Sequence, residues 1–260
     1  MSKEIAVEVH SGVQLIRINR PEKKNALTGA MYDQMTKALT AAQTDDAIAV
    51  SVITGTGGVF CAGNDIQDFA KRATDLNSPG GASSFIGALP TLDKPLIAAV
   101  DGLAIGVGVT MLFHCDLVYA SPAASFRTPF LDLGLVMEAA SSYLAPAIMG
   151  HQRAFELLCL GQAFDAEAGV RAGFVNRVVP TVDLEREAMA AATGLAAKPR
   201  AALLAAKRLM KRGVRDHAIE QMQREGHVFA ELLRSPEARE AFAAFLEKRK
   251  PDFAKARAAG

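Results

Sequence analysis

The sequence predicts an α/β fold of repeated strand-strand-helix units that ends in an all-helical tail. Two short, almost wholly apolar runs, AVSVIT at Ala49–Thr54 and LIAAV at Leu96–Val100, have strand length and are bounded by turn residues. Strands apolar on both faces belong to a sheet that is covered on both sides. From Val182 onward Ala, Leu, Lys and Arg dominate, and Ile219, Met222, Gly226, Phe229 and Leu233 fall on one helical stripe.

Each element follows in order. IAVEV and VQLIRIN flank His10-Ser11-Gly12 as two strands around a turn, and Thr28 caps a helix to about Gln43. After the strand at Ala49–Thr54, TGTGG reads as a hairpin-like turn, and a short helix begins near Asp65. The segment Ala73–Ser84, rich in Thr, Asn, Ser, Pro and Gly, is either a mobile cover for a ligand or a plain surface loop. LIAAV opens a third unit with an apolar helix from about Gly106 and a returning strand in DLVYAS. The long apolar run Leu96–Phe113 is no membrane span, because Asp101 interrupts it and Gly102, Gly106 and Gly108 punctuate it. In the tail, Ser235-Pro236-Glu237 starts a last helix through FLEKRK.

Composition narrows the function. With 260 residues, 50% of them hydrophobic, the chain can bury a sizeable core. Lys and Arg number 29 against 28 Asp and Glu, so no global field draws it to nucleic acid or an anionic membrane, and an anionic ligand must be held by local charge. Cys61, Cys115 and Cys159 lack paired spacing and read as core thiols in a reducing compartment. The first residues carry no secretory pattern, so a cytoplasmic protein is expected.

Neither metal nor nucleophilic catalysis has a motif. None of His10, His114, His151, His217 and His227 has a partner at metal-ligand spacing, no metal or separate cofactor is expected, and no Gly-x-Ser-x-Gly elbow occurs. Gly106-Val107-Gly108 before an apolar helix reads as close packing or as a weak anion cradle. Glu138, placed in the first turn of a helix, is either a solvated carboxylate stabilising the helix end or a functional base.

NRPEKKNAL at Asn19–Leu27, FCAGNDI at Phe60–Ile66 and AVDGLAIGVGVTMLFHCDLVYAS at Ala99–Ser121 together resemble the crotonase, or enoyl-CoA hydratase/isomerase, superfamily. The likeness continues through FRTPFLDLG, LGQAFDAEAGVRAGFVNRVVP and FLEKRKPDF, and so covers nearly the whole chain. It implies a crotonase (ClpP-like) spiral over residues 1–197 and a helical oligomerisation region over 198–260, with a homotrimer or dimer of trimers. It also implies an acyl-CoA thioester ligand. The backbone amides of Asn64 and Val107 match the donors to the thioester oxygen, and Lys24, Ala26, Ala62, Asp65 and Ile66 match CoA contacts. Arg20 and Lys23 are further candidates for phosphate, and Lys248 and Lys250 either reach a neighbouring subunit's ligand or are solvated helix charges.

The sequence departs from the hydratase pattern where it bears on mechanism. Thr110 and Phe130 stand where hydratases carry two glutamates, and neither is a general base at neutral pH. FRTPFLDLGLVMEAASSY is instead similar to the peroxisomal-type enoyl-CoA isomerase branch, whose single catalytic glutamate matches Glu138. The resemblance therefore implies migration of a double bond from the β,γ to the α,β position, with Thr110 and Phe130 lining the acyl pocket and fatty-acid oxidation as the setting. The alternatives are a 2-enoyl-CoA hydratase and a non-catalytic acyl-CoA-binding protein.

Overall fold

The computed structural model describes residues 4–66, 68 and 81–258. Strands β1 (Ile5–His10) and β2 (Val13–Ile18) form the expected hairpin about Ser11 and Gly12, and helix α1 (Gly29–Thr44) starts where the Thr28 hydroxyl accepts the Met31 amide. The chain then repeats one pattern. β3 (Val50–Gly55), β5 (Leu96–Val100) and β7 (Leu117–Ala120) pair in parallel within a six-stranded sheet of order β1-β2-β3-β5-β7-β10, where β10 is Arg177–Val178. After each, the chain turns into a second, four-stranded sheet: β4 (Val59–Cys61), β6 (Leu103–Ile105) and β8 (Ser125–Arg127) pair in parallel, and β9 (Phe164–Asp165) closes it.

The corner between sheets needs glycine. A Cβ on Gly55 would lie 2.1 Å from the Val59 carbonyl oxygen, and one on Gly102 1.9 Å from that of Gly58. TGTGG is thus no hairpin, since the strands on either side of it lie in different sheets and do not pair. Strands β6 and β8 escaped the sequence reading because three residues are too few to show periodicity.

Both faces of the large sheet are covered. Ile16, Ile18, Ile53, Ala98 and Val100 point into the main core with α1, whereas Val13, Leu15, Val50, Val52, Ile97 and Ala99 pack beneath α7 (Leu184–Ala196). Helices α2 (Ala82–Ala88), α3 (Val107–Thr110), α4 (Ser141–Met149), α5 (His151–Leu158) and α6 (Ala166–Ala172) fill the spaces between the strands and the tail. Of the segment Ala73–Ser84, residues 73–80 lie outside the described residues and Ala82–Ser84 open α2; the helix near Asp65 is described only at Ile66 and Asp68.

The tail is α8 (Arg200–Leu232), α9 (Pro236–Leu246) and α10 (Phe253–Ala258). Ser235 caps α9 as expected, its hydroxyl accepting the Ala238 amide at 3.0 Å. The helix stops within FLEKRK, because Lys248 takes a left-handed φ of 55° and Pro251 follows. The stripe at Ile219–Leu233 is also not one uniform face: Met222 packs on the chain's own core and Gly226 is exposed. Among the described residues no helix is long and apolar enough to cross a membrane.

Candidate active site

Glu138 stands before a helix, not in its first turn. Helix α4 begins at Ser141, because Ala139 and Ala140 take left-handed φ values of 59° and 56°. That conformation costs a non-glycine residue on the order of 1–2 kcal/mol, so the surroundings must hold it. They do so from several sides. The Ser141 hydroxyl donates to the Glu138 carbonyl at 2.6 Å, and His114 donates Nε2–H to the Ala139 carbonyl at 2.7 Å. Glu225 of α8 accepts the amides of Ala140 at 2.7 Å and Ser142 at 2.9 Å.

The two oxygens of Glu138 are not equivalent. The Thr110 hydroxyl donates to Oε1, while Oε2 is buried and has no hydrogen-bond partner among the described residues. Burial pushes the carboxyl pKa up to about 8; the Thr110 hydrogen bond opposes that rise and the nearby Glu225 charge adds to it. A carboxyl so placed exchanges a proton readily near neutral pH, as a general base must.

Asn64 and Val107 follow the C-terminal ends of the paired strands β4 and β6. Among the described residues neither amide donates to a backbone carbonyl. The turns carrying them are in contact: a Cβ on Gly108 would lie 2.7 Å from the Cys61 carbonyl oxygen, and one on Gly63 3.0 Å from that of Ile105. The Tyr32 hydroxyl of α1 donates to Asn64 Oδ1 at 2.6 Å and fixes that side chain. Val107 opens α3 and Thr110 closes it, so one helical turn joins the free amide to the hydroxyl that grips Glu138. Phe130 is 7% exposed, and its ring edge lies 3.9 Å from where a Cβ on Gly106 would stand. Val107, Thr110, Phe130 and Glu138 thus share one neighbourhood, with Asn64 just past the end of the adjacent strand β4.

The residues matched to CoA contacts also converge. The Ala62 amide donates to the Lys24 carbonyl at 3.1 Å, that of Leu27 to Gly63 at 2.8 Å, and that of Asp65 to Leu27 at 2.9 Å. Lys24, Ala26, Ala62, Asp65 and Ile66 therefore lie along two adjacent segments. Arg20 is committed to that scaffold: its guanidinium donates to the Ala26 carbonyl at 3.0 Å and pairs with Asp65 at 2.8 Å and Glu4 at 3.1 Å. Lys23 and Lys24 are the exposed cations there, and Lys248 and Lys250 lie exposed on the tail.

Cys61 is wholly buried and its thiol is pushed up to about 12 by that burial, which suits a core residue. Among the described residues no three His, Cys, Asp or Glu side chains gather as metal ligands. The sequence reading assigned no role to His114, Tyr32 or Glu225. For Glu225 there was a signal: a carboxylate one turn from Met222 and Phe229, on the border of an apolar stripe, needs a buried partner.

The sequence profile described as enoyl-CoA hydratase/isomerase matches residues 8–256. Enoyl-CoA delta isomerase 2 of Rattus norvegicus is 35% identical over 227 residues, 85% of this chain and 58% of that protein. The Homo sapiens protein of the same name is 36% identical and matched over 56% of its length, so the chain spans little more than half of these relatives. A probable enoyl-CoA hydratase of Rhodobacter capsulatus is 34% identical over 96% of this chain and 97% of its own. The crystal structure of an enoyl-CoA hydratase/isomerase from Pseudoalteromonas atlantica superposes with a TM-score of 0.91 at 40% identity, covering 96% of this chain and 99% of that one. By sequence and by fold, the chain belongs to the enoyl-CoA hydratase/isomerase family.

Proposed function

We propose that this enzyme is an enoyl-CoA isomerase that moves a β,γ double bond of an acyl-CoA thioester to the α,β position, with Glu138 as its one acid-base group. The observation that carries the reading is the pairing of Thr110 with one oxygen of Glu138 while the other is buried and has no partner among the described residues. Hydration needs a bound water, a base to activate it and an acid to protonate the α carbon. Isomerisation needs one carboxylate that removes the α proton and returns it at the γ carbon. Among the described residues the pairing with Thr110 brings one carboxylate to this site, and the buried Phe130 lies beside it.

In this reading the amides of Asn64 and Val107 receive the thioester oxygen as it gains charge in the dienolate, where fixed donors act more strongly than on the ground state. Lys23 and Lys24 offer positive charge to the CoA phosphates. Phe130 keeps water from the dienolate.

The test is turnover of 3-hexenoyl-CoA and crotonyl-CoA side by side. Isomerisation of the first should far exceed hydration of the second, since each missing acid or base forfeits about a hundred-fold to ten-thousand-fold. Glu138→Gln should abolish isomerisation and leave CoA-ester affinity nearly intact. Equal rates on the two substrates would place the protein among the hydratases, and near-normal isomerisation by a folded Glu138→Gln enzyme would remove Glu138 from the mechanism.

A further inference from the structure

Helix α4 lacks the cap its N-terminus needs. The residue before it, Ala140, has no side chain able to accept an amide, and its φ of 56° and ψ of 17° lie far from the extended backbone that Ser, Thr, Asp or Asn adopt when they cap. The same left-handed turn sets the direction in which Glu138 leaves the chain. A local cap and this direction for Glu138 are mutually exclusive.

The acceptor comes from elsewhere in the chain. Glu225 is 5% exposed on α8, and its carboxylate takes the Ala140 amide on Oε2 at 2.7 Å and the Ser142 amide on Oε1 at 2.9 Å. The Ser142 hydroxyl donates to the same Oε1 at 2.5 Å, and Gln221, one turn earlier on α8, donates to that hydroxyl at 2.9 Å. From the opposite side, His114 holds the Ala139 carbonyl at 2.7 Å. Thr110 and His114 lie one turn apart, so the stretch that grips the Glu138 side chain also grips the backbone beside it.

We propose that Glu225 is a positioning residue for Glu138: by accepting the amide of Ala140 in the left-handed turn and that of Ser142 in the first turn of α4, it aims the base and makes the C-terminal helix part of the active site. The proposal rests on Glu138 being the base. Glu225 would touch no substrate and transfer no proton.

Its charge gives the role a second signature. Among the described residues, Tyr32 from α1 and Glu225 from α8 act electrostatically on Glu138, and His114, from the segment after α3, binds the carbonyl of the next residue. Burial holds Tyr32 well above its usual range and brings His114 down to about 4, so both are neutral at pH 7. Burial also raises Glu225, but its three donor contacts favour the ionised form. Where Glu225 is ionised, its charge makes Glu138 harder to ionise.

The experiment is the pH dependence of 3-hexenoyl-CoA isomerisation by the wild type, Glu225→Gln, Glu225→Asp and Glu138→Gln. A glutamine offers one acceptor oxygen where Ala140 and Ser142 present two amides, so its amino group opposes an N–H. Glu225→Gln should lower kcat by about ten-fold to a hundred-fold, because misaiming a catalytic group costs rate. KM should stay within about twofold, since the CoA contacts are untouched, and the acidic limb of the kcat profile should move to lower pH. Glu225→Asp, which keeps two acceptor oxygens, should recover part of the loss. If Glu225→Gln does not fold, Ser142→Ala decides: it removes one donor to the carboxylate and should cost about threefold in kcat.

A folded Glu225→Gln enzyme with wild-type kcat and an unmoved profile would overturn the proposal, as would wild-type kcat in Ser142→Ala where the first variant cannot be read. Glu138→Gln keeps the two ideas apart. If it stays active, the base has been misassigned; if it is dead while Glu225→Gln is normal, the positioning role alone fails.

Discussion

At Glu138 a single carboxylate has two unlike oxygens, one tied to Thr110 and one buried without a partner among the described residues. The Thr110 hydrogen bond lowers a pKa that burial has raised to about 8. Thr110→Val should therefore push it higher still. At pH 7 less of the enzyme would carry the carboxylate, and the acidic limb of the isomerisation profile should move to higher pH, opposite to the shift expected of Glu225→Gln. A limb that moves down in Thr110→Val would show that the hydroxyl does not act on Glu138. The raised pKa also bears on stability. A carboxyl that ionises at 4.5 when unfolded and near 8 when folded leaves its stability intact below about pH 4.5, and loses it progressively as pH rises towards 8. Each unit is about 1.4 kcal/mol, so the wild type gives up on the order of a few kcal/mol across that window. Glu138→Gln cannot ionise and escapes the loss. Its Tm relative to wild type should thus be higher at pH 8 than at pH 5, as thermal denaturation at the two values would reveal; a constant difference would mean that Glu138 titrates normally.

At the scale of elements, the site depends on two glycine turns that bring the ends of β4 and β6 together. Gly108→Ala places a methyl group 2.7 Å from the Cys61 carbonyl oxygen, a backbone atom that cannot swing aside. The Val107 turn must then shift from Asn64. Removing one oxyanion donor costs about a hundred-fold to a thousand-fold in kcat, and this variant should approach that loss while keeping its fold. Wild-type kcat in a folded Gly108→Ala enzyme would remove the Val107 amide from catalysis. In the sequence Gly106-Val107-Gly108 reads as close packing or as a weak anion cradle, and only the resemblance gives it an oxyanion role. The long strands and α1 were legible because apolar runs and the Thr28 cap are local signals. The start of α4 was not. A left-handed pair is expected at glycine or asparagine, whereas here two alanines adopt it, held by His114 and by Glu225 from a helix 85 positions further along the chain. The unpartnered oxygen of Glu138 was likewise invisible, because it depends on which side chains the fold leaves out of reach.

Across the whole molecule, the tail is bound to the core by polar contacts as well as apolar ones. Lys207 of α8 donates to the Lys94 carbonyl at 2.8 Å and pairs with Asp116 at 2.7 Å, while Lys94 donates to the carbonyls of Ala42, Asp45 and Ile48, each at 2.7 Å. Lys207, Ala218 and Glu225 thus mark the face of α8 that serves its own chain. Large apolar side chains elsewhere on the tail are exposed: Leu209 is 72% and Met210 83% exposed, and on α9 Phe245 and Leu246 are 56% and 58% exposed. Large apolar side chains left in water on adjoining helices mark surfaces used in association. The family resemblance carries a helical oligomerisation region at this place. Covering one such side chain contributes about 1.5–3 kcal/mol, and a threefold assembly would repeat that gain at every interface. Light scattering coupled to size exclusion should report three or six chains per particle, and Leu209→Glu with Met210→Glu should shift the population towards single chains. Because Glu225 joins α8 to the turn at Glu138, that double variant should also lose kcat to a greater degree than substrate affinity. A wild type that runs only as a monomer at micromolar concentration would show that this face serves no contact between copies.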